Sequence, residues 1–144
     1  MTNADLVRRW FREVWNEDRS ETVYELLATS AIIHGSGETG VTTRGPGEFL
    51  SFVKTMKTAF PDLRVTVEQT VSEGEWVTVR FTAEMTHTGT GLGFEPTGKR
   101  AKVAGMSMAR VRESKIVESF DSWDQRGLLV QLGTPDSIRL ISRD

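Results

Sequence analysis

The chain has no cysteine among its 144 residues. A disulfide framework, a thiolate nucleophile and a cysteine metal site are all excluded, and such usage suits a reducing, cytoplasmic setting. Histidine is scarce as well. His34 and His87 stand alone, without the His-x-His or Glu-x-x-His spacing of a metal centre, so no metal is expected. The formal net charge of −2 leaves no basic surplus for neutralising phosphates, which argues against nucleic acid as a partner. No apolar run approaches the ~18 residues of a membrane span, and the N-terminus reads as a polar amphipathic helix rather than a signal peptide.

What is present is ordinary for a globular protein: 38% hydrophobic and 26% charged residues, enough chain for one domain with a real core. From Ala4 to about Asn16, Leu6, Val7, Trp10, Phe11, Val14 and Trp15 form one broad helical face, with Asn3 as the expected N-cap. Ser20 is expected to cap a second, shorter helix through Val23, Tyr24, Leu26 and Leu27. Ala31–His34 reads as a short strand ended by the glycine-rich run 35–40. Gly45-Pro46 then opens a third helix, carrying Phe49, Phe52, Val53, Met56 and Phe60 on one stripe and stopped by Pro61.

Beyond Pro61 the period changes to two. Leu63, Val65, Val67 and Val71 alternate with polar residues. After a turn at residues 72–75, a second strand puts Val77, Val79, Phe81, Ala83 and Met85 on one face, with His87 in register. A glycine-rich loop covers residues 88–98. Residues 99–112 form a long strand, and Glu113-Ser114 turns into a last strand that runs into a short helix. Helices followed by an antiparallel meander, without βα alternation or repeats, predict an α+β domain: a curved antiparallel sheet wrapped by helices. The core is expected over 4–133, with a short tail over 134–144.

Several local features occur in a telling order: Gly45-Pro46, Ala59-Phe-Pro-Asp-Leu63, Thr86-His-Thr-Gly89, Pro96-Thr-Gly-Lys99, and the closing Lys115-Ile-Val-Glu118, Trp123-Asp124 and Gln131-Leu-Gly133. In that order and spacing the chain resembles the SnoaL-like polyketide cyclases. These belong to the cone-shaped superfamily that includes ketosteroid isomerase, limonene epoxide hydrolase and nuclear transport factor. The resemblance implies a helix-lined sheet closing a deep apolar pocket. It also implies an intramolecular aldol on an aromatic polyketide ester, without metal or cofactor, in a homodimer or homotetramer.

The chemistry is expected on the last strand. In the cyclases an aspartate there is the acid/base, and the corresponding position is Asp121. Its parity groups it with Val117 and Trp123. Apolar surroundings would lift its pKa toward the working range; the plainer alternatives are a solvated strand aspartate or a partner of Arg110 or Arg112. His87, in register with the apolar face, is the second candidate catalytic residue, against a core histidine bonded to a neighbouring carbonyl. Asp124 and His34 are possible catalytic or pocket residues. Ser122 with Gln125 matches a capping box, so Asp124 is expected in the first turn of the final helix.

Trp15, Phe49, Met85, Met106 and Trp123 are candidate substrate-binding residues, since a flat aromatic ligand is lined by aromatic and sulfur side chains. The resemblance adds Ser51 and Ser107. Ser107 is also a departure, because cyclases acting on anthraquinone esters carry a histidine there, and serine cannot supply an imidazolium.

Three functions follow from this reading. One is a cyclase or isomerase using Asp121 as general base. Another is an epoxide-type hydrolase, with Glu84 and Arg80 as the partners to test. The third is a non-catalytic module that binds a hydrophobic small molecule or dimerises.

Overall fold

The computed structural model describes residues 1–35 and 41–134. Within them, α1 (Asn3–Trp10) runs into a π-helical turn (Phe11–Asn16), then α2 (Ser20–Leu26), β1 (Leu27–Gly35), β2 (Thr43–Arg44) and α3 (Gly45–Ala59). The rest is β3 (Arg64–Glu73), β4 (Trp76–Thr86), β5 (Arg100–Arg112), β6 (Lys115–Trp123) and α4 (Gln125–Leu132). One curved, unclosed sheet of order β2-β1-β6-β5-β4-β3 results, with α1, the π turn and α3 against its concave face. The expected all-antiparallel sheet is in fact mixed, because β1 pairs with β6 in parallel. The segment between β1 and β6 is long enough to bring the chain back in the same direction, which no local pattern announces. Most of the expected glycine-rich run after β1, and nearly all of the expected tail, lie outside the described residues.

Two bulges re-aim the sheet. In β3 the register shifts between Val67 and Gln69, so Val71 pairs with Thr78 and is 61% exposed instead of joining Val65 inside. In β6 a shift opposite Arg110 and Val111 leaves Val117 unpaired and turns Ile116 inward. Asp121 therefore shares its face with Ile116, Ser119 and Trp123, and not with Val117. Glu113 and Ser114, both at positive φ, make the two-residue turn that joins β5 to β6.

The helix ends differ by a residue or so from expectation. Thr2, not Asn3, caps α1 in a reciprocal box with Asp5, and α2 starts on Ser20 itself. The π turn brings residue i+5 closer to residue i than an α turn does, and Trp10 and Trp15 both face inward. Asn16 ends that turn with its amide across the backbone of Val65 (2.8 and 2.7 Å), fixing the helix to β3.

Glu13, on the same turn, is a buried carboxylate that sequence reading did not single out. It accepts hydrogen bonds from Thr22 Oγ1 (2.6 Å) and Arg9 Nε (2.9 Å), with Arg12 and Arg19 at 3.5 Å. These partners hold its pKa down at about 2.

Candidate active site

The concave face of the sheet, α1, the π turn and α3 line a cavity of about 100 Å³ that is open on one side. Its walls are aromatic and aliphatic. Phe49 lies 5.1 Å from Trp10 and 6.2 Å from Trp15, centroid to centroid, and Phe52 meets Trp15 at 6.1 Å. Phe11 stacks at a tilt on Phe81 of β4 (5.4 Å). Met56, Met85, Val103, Ile116 and Trp123 complete the apolar lining. Polar groups come from Thr43, Ser107, Ser119, Asp121 and Gln125, and Asp121 is the one ionisable side chain among the described lining residues.

Asp121 reaches the cavity because alternation along β5 and β6 sets Ser107, Ser119 and Asp121 on the concave face. Ser107 Oγ donates to Asp121 Oδ1 at 2.6 Å and Ser119 Oγ donates to the same oxygen at 2.7 Å. Burial among apolar walls pushes the Asp121 carboxyl above its ordinary value, while the two serine hydroxyls and the charge of His34 pull the other way. A carboxylate so placed is a stronger base than a solvated one and can accept a proton from a carbon acid. Arg110 and Arg112, the alternative partners, bind Glu75 instead (2.9 and 3.0 Å).

The cavity thus gathers Asp121, Ser107, Trp15, Phe49, Met85 and Trp123 from the expected set. The other five lie elsewhere. Met106 is 52% exposed on the convex face, as it must be if its strand neighbour Ser107 faces in. Ser51 is on the exposed side of α3, its carbonyl accepting from Thr55. Asp124 is itself the N-cap of α4, not a first-turn residue, and accepts from the Gly127 N–H at 2.8 Å. His34 faces the convex side, stacked on Phe120 (4.5 Å) and bonded to Glu118 (2.9 Å).

His87 is fully buried one step beyond Met85, where the phenyl rings of Phe60 and Phe94 enclose it at 5.4 and 5.3 Å. Its Nδ1 accepts the Thr97 N–H at 3.1 Å, and burial pushes its pKa down. It is a neutral pin for the loop between β4 and β5, outside the cavity lining.

Ser119, Thr43 and Gln125 are lining residues that sequence reading missed. Ser119 was within reach, since it has the parity of Asp121 and Trp123. The Glu84–Arg80 pair proposed for hydrolysis does not form: Arg80 is exposed, and Glu84 is ion-paired with Arg100 (3.7 Å) and Lys102 (3.9 Å).

A helix-lined, curved α+β sheet around an apolar cavity, with one serine-bound carboxylate among the described lining residues, defines the class of fold. The profile of the SnoaL-like polyketide cyclases matches residues 5–132, and this chain belongs to that family. It is 30% identical over 135 residues to the aklanonic acid methyl ester cyclase DnrD of Streptomyces peucetius, covering 93% of this chain and 92% of that protein. The crystal structure of wild-type IdmH from Streptomyces antibioticus superposes with a TM-score of 0.80 at 30% identity, over 93% of this chain and 100% of that one. A SnoaL-like protein of Jannaschia sp. CCS1 shares the fold at a TM-score of 0.82 and 21% identity, over 92% of each chain.

Proposed function

We propose that this protein is a cofactor-independent cyclase that closes a carbocycle on an aromatic polyketide-like ester, with Asp121 as its acid/base. The observation that carries this reading is Asp121, the one titratable group among the described residues that line an apolar, aromatic-walled cavity. The carboxylate takes the proton from the carbon next to the ester carbonyl, and the electron pair moves into an enolate. That carbon attacks a ketone of the same molecule, a carbon–carbon bond forms, and the ketone oxygen becomes an alkoxide. Asp121 returns its proton to the alkoxide. Atoms balance without an oxidant, a reductant or water. The Gln125 amide and the Thr43 hydroxyl are neutral groups in the lining that suit substrate oxygens, and Trp15 and Trp123 suit a flat ring system. An epoxide-type hydrolysis has less support, because no second carboxylate joins Asp121 among the described lining residues.

Incubation with an anthraquinone methyl ester bearing a ketone side chain tests the proposal. The expected product has the mass of the substrate, carries no label from ¹⁸O-water and lacks the ketone. Water incorporation would move the assignment to hydrolysis, and tight binding without turnover would move it to ligand binding.

A homodimer through the convex sheet face is proposed alongside, on the grounds that Met106, Met108 and Phe120 are 52%, 42% and 43% exposed there. Sedimentation equilibrium is expected to give twice the chain mass, and the Met106→Lys, Met108→Lys double variant the single mass. An unchanged mass in the variant contradicts this face.

A further inference from the structure

Three oxygens form an uneven triangle in the cavity wall. Ser107 Oγ and Ser119 Oγ lie 2.6 and 2.7 Å from Asp121 Oδ1, while the two hydroxyls are 3.2 Å apart. Each serine has one proton to donate. The two short sides are hydrogen bonds donated to Oδ1, and the long side is a weaker contact in which either hydroxyl could be the donor. A carboxylic acid protonated on Oδ1 and closed into a ring with both serines would give a different figure. Its O–H and the two hydroxyls would run head to tail in a ring, with three near-equal distances of ~2.7 Å. Oδ2 has no hydrogen bond among the described residues, and Asp121 lines the cavity.

We infer, on the basis of the cyclase reading above, that Ser107 and Ser119 are positioning residues: they hold Asp121 by Oδ1 alone and make Oδ2 the oxygen that takes the substrate proton and returns it. Two donors on one oxygen fix the rotation of the carboxyl plane, so Oδ2 has a defined direction relative to the aromatic walls. Hydrogen bonds of this kind also favour the ionised form. They counter part of the lift from burial, which still leaves the carboxyl above its ordinary value. Beyond the serines, the charge that acts on Asp121 is His34, on the opposite face of β1; the described cavity lining brings no other titratable side chain. Ser107 thus does by hydrogen bonding what needs no imidazolium.

The test is a ¹³C NMR titration of the Asp121 side-chain carboxyl in wild type, Ser107→Ala, Ser119→Ala and the double variant. No substrate is needed. The titration midpoint is expected to rise in each alanine variant and furthest in the double, and to return toward wild type in Ser107→Thr, which keeps a hydroxyl. Ser107→Cys, a weaker donor of similar size, gives an intermediate midpoint and serves where an alanine variant does not fold. With a substrate that turns over, the acid limb of the kcat profile moves the same way while KM holds. An unchanged midpoint means the serines only fill space; a lowered one means the proton resides on Oδ1 within a ring. Either result overturns the inference. A chain that turns over no polyketide ester would sink the cyclase reading and leave this titration to decide the clamp by itself.

Discussion

Replacing Glu13 by glutamine removes a charge that four neighbours are arranged around. Its side chain is 6% exposed, Thr22 Oγ1 donates to it at 2.6 Å and Arg9 Nε at 2.9 Å, with Arg12 and Arg19 close behind. The carboxyl is held at about 2, against 4.5 for an ordinary glutamate. At ~1.4 kcal/mol per unit that difference is worth about 3 kcal/mol of folding stability. The sign follows from proton binding. The folded state holds Glu13 ionised to lower pH than the unfolded state does, so the contribution is complete above 4.5 and fades as pH falls toward 2.

Urea denaturation of wild type and Glu13→Gln is the assay. The variant is expected to lose about 3 kcal/mol near neutral pH, with the gap narrowing to under ~1 kcal/mol by about pH 2.5. A neutral-pH gap below ~0.5 kcal/mol would refute the reasoning. So would a gap that persists in acid, because it would trace the loss to packing and not to charge.

Two further outcomes follow from close contacts in the same half-shell. A Cβ built on Gly105 falls 2.5 Å from Phe81 Cζ and 2.8 Å from both the Ser122 carbonyl oxygen and Trp123 Cβ. Gly105→Ala is therefore expected to cost ~1–3 kcal/mol and to displace two cavity-lining rings, read by thermal denaturation and by the tryptophan near-ultraviolet spectrum. Wild-type values in both would mean the sheet gives way more easily than these distances allow. His87 is neutral when folded, and its pKa is lowered by burial; the unfolded chain takes up a proton there first as pH falls. Stability should drop below about pH 6.5, and His87→Gln should lose part of that slope. A slope identical to wild type would contradict a buried neutral imidazole.

Much of the architecture was legible in periodicity. The amphipathic stripe of α1, the Gly45-Pro46 start of α3 and the switch to alternation after Pro61 each reflect one local rule, and the structure carries those elements. What escaped was non-local. The parallel pairing of β1 with β6 joins residues about ninety apart. The bulges that expose Val71 and turn Ile116 inward each insert one residue, and one residue is enough to reverse every later side chain.

The candidate site divides in the same way. Parity along β6 carried Asp121 and Trp123 to the cavity and would have carried Ser119 too. Met106 and Ser107 are adjacent on one strand, so naming both as pocket residues contradicted the alternation that placed Asp121. His87 has the right parity, but β4 ends at Thr86, and beyond that end Phe60 and Phe94 cover the position the alternation points to. His34 and Asp124 were ambiguous because a strand end and a helix start can each turn a side chain either way.

The central claim is that Asp121 moves the proton. Asp121→Asn keeps the shape of the side chain and its contact with the two serines while removing the titrating group. The decisive measurement is the single-turnover rate of this variant on a cyclised ester, alongside ligand affinity from tryptophan fluorescence. The account predicts affinity near wild type and a rate lowered ~10²-fold or more, the size of a lost general base. A variant that binds equally and turns over at the wild-type rate would contradict it.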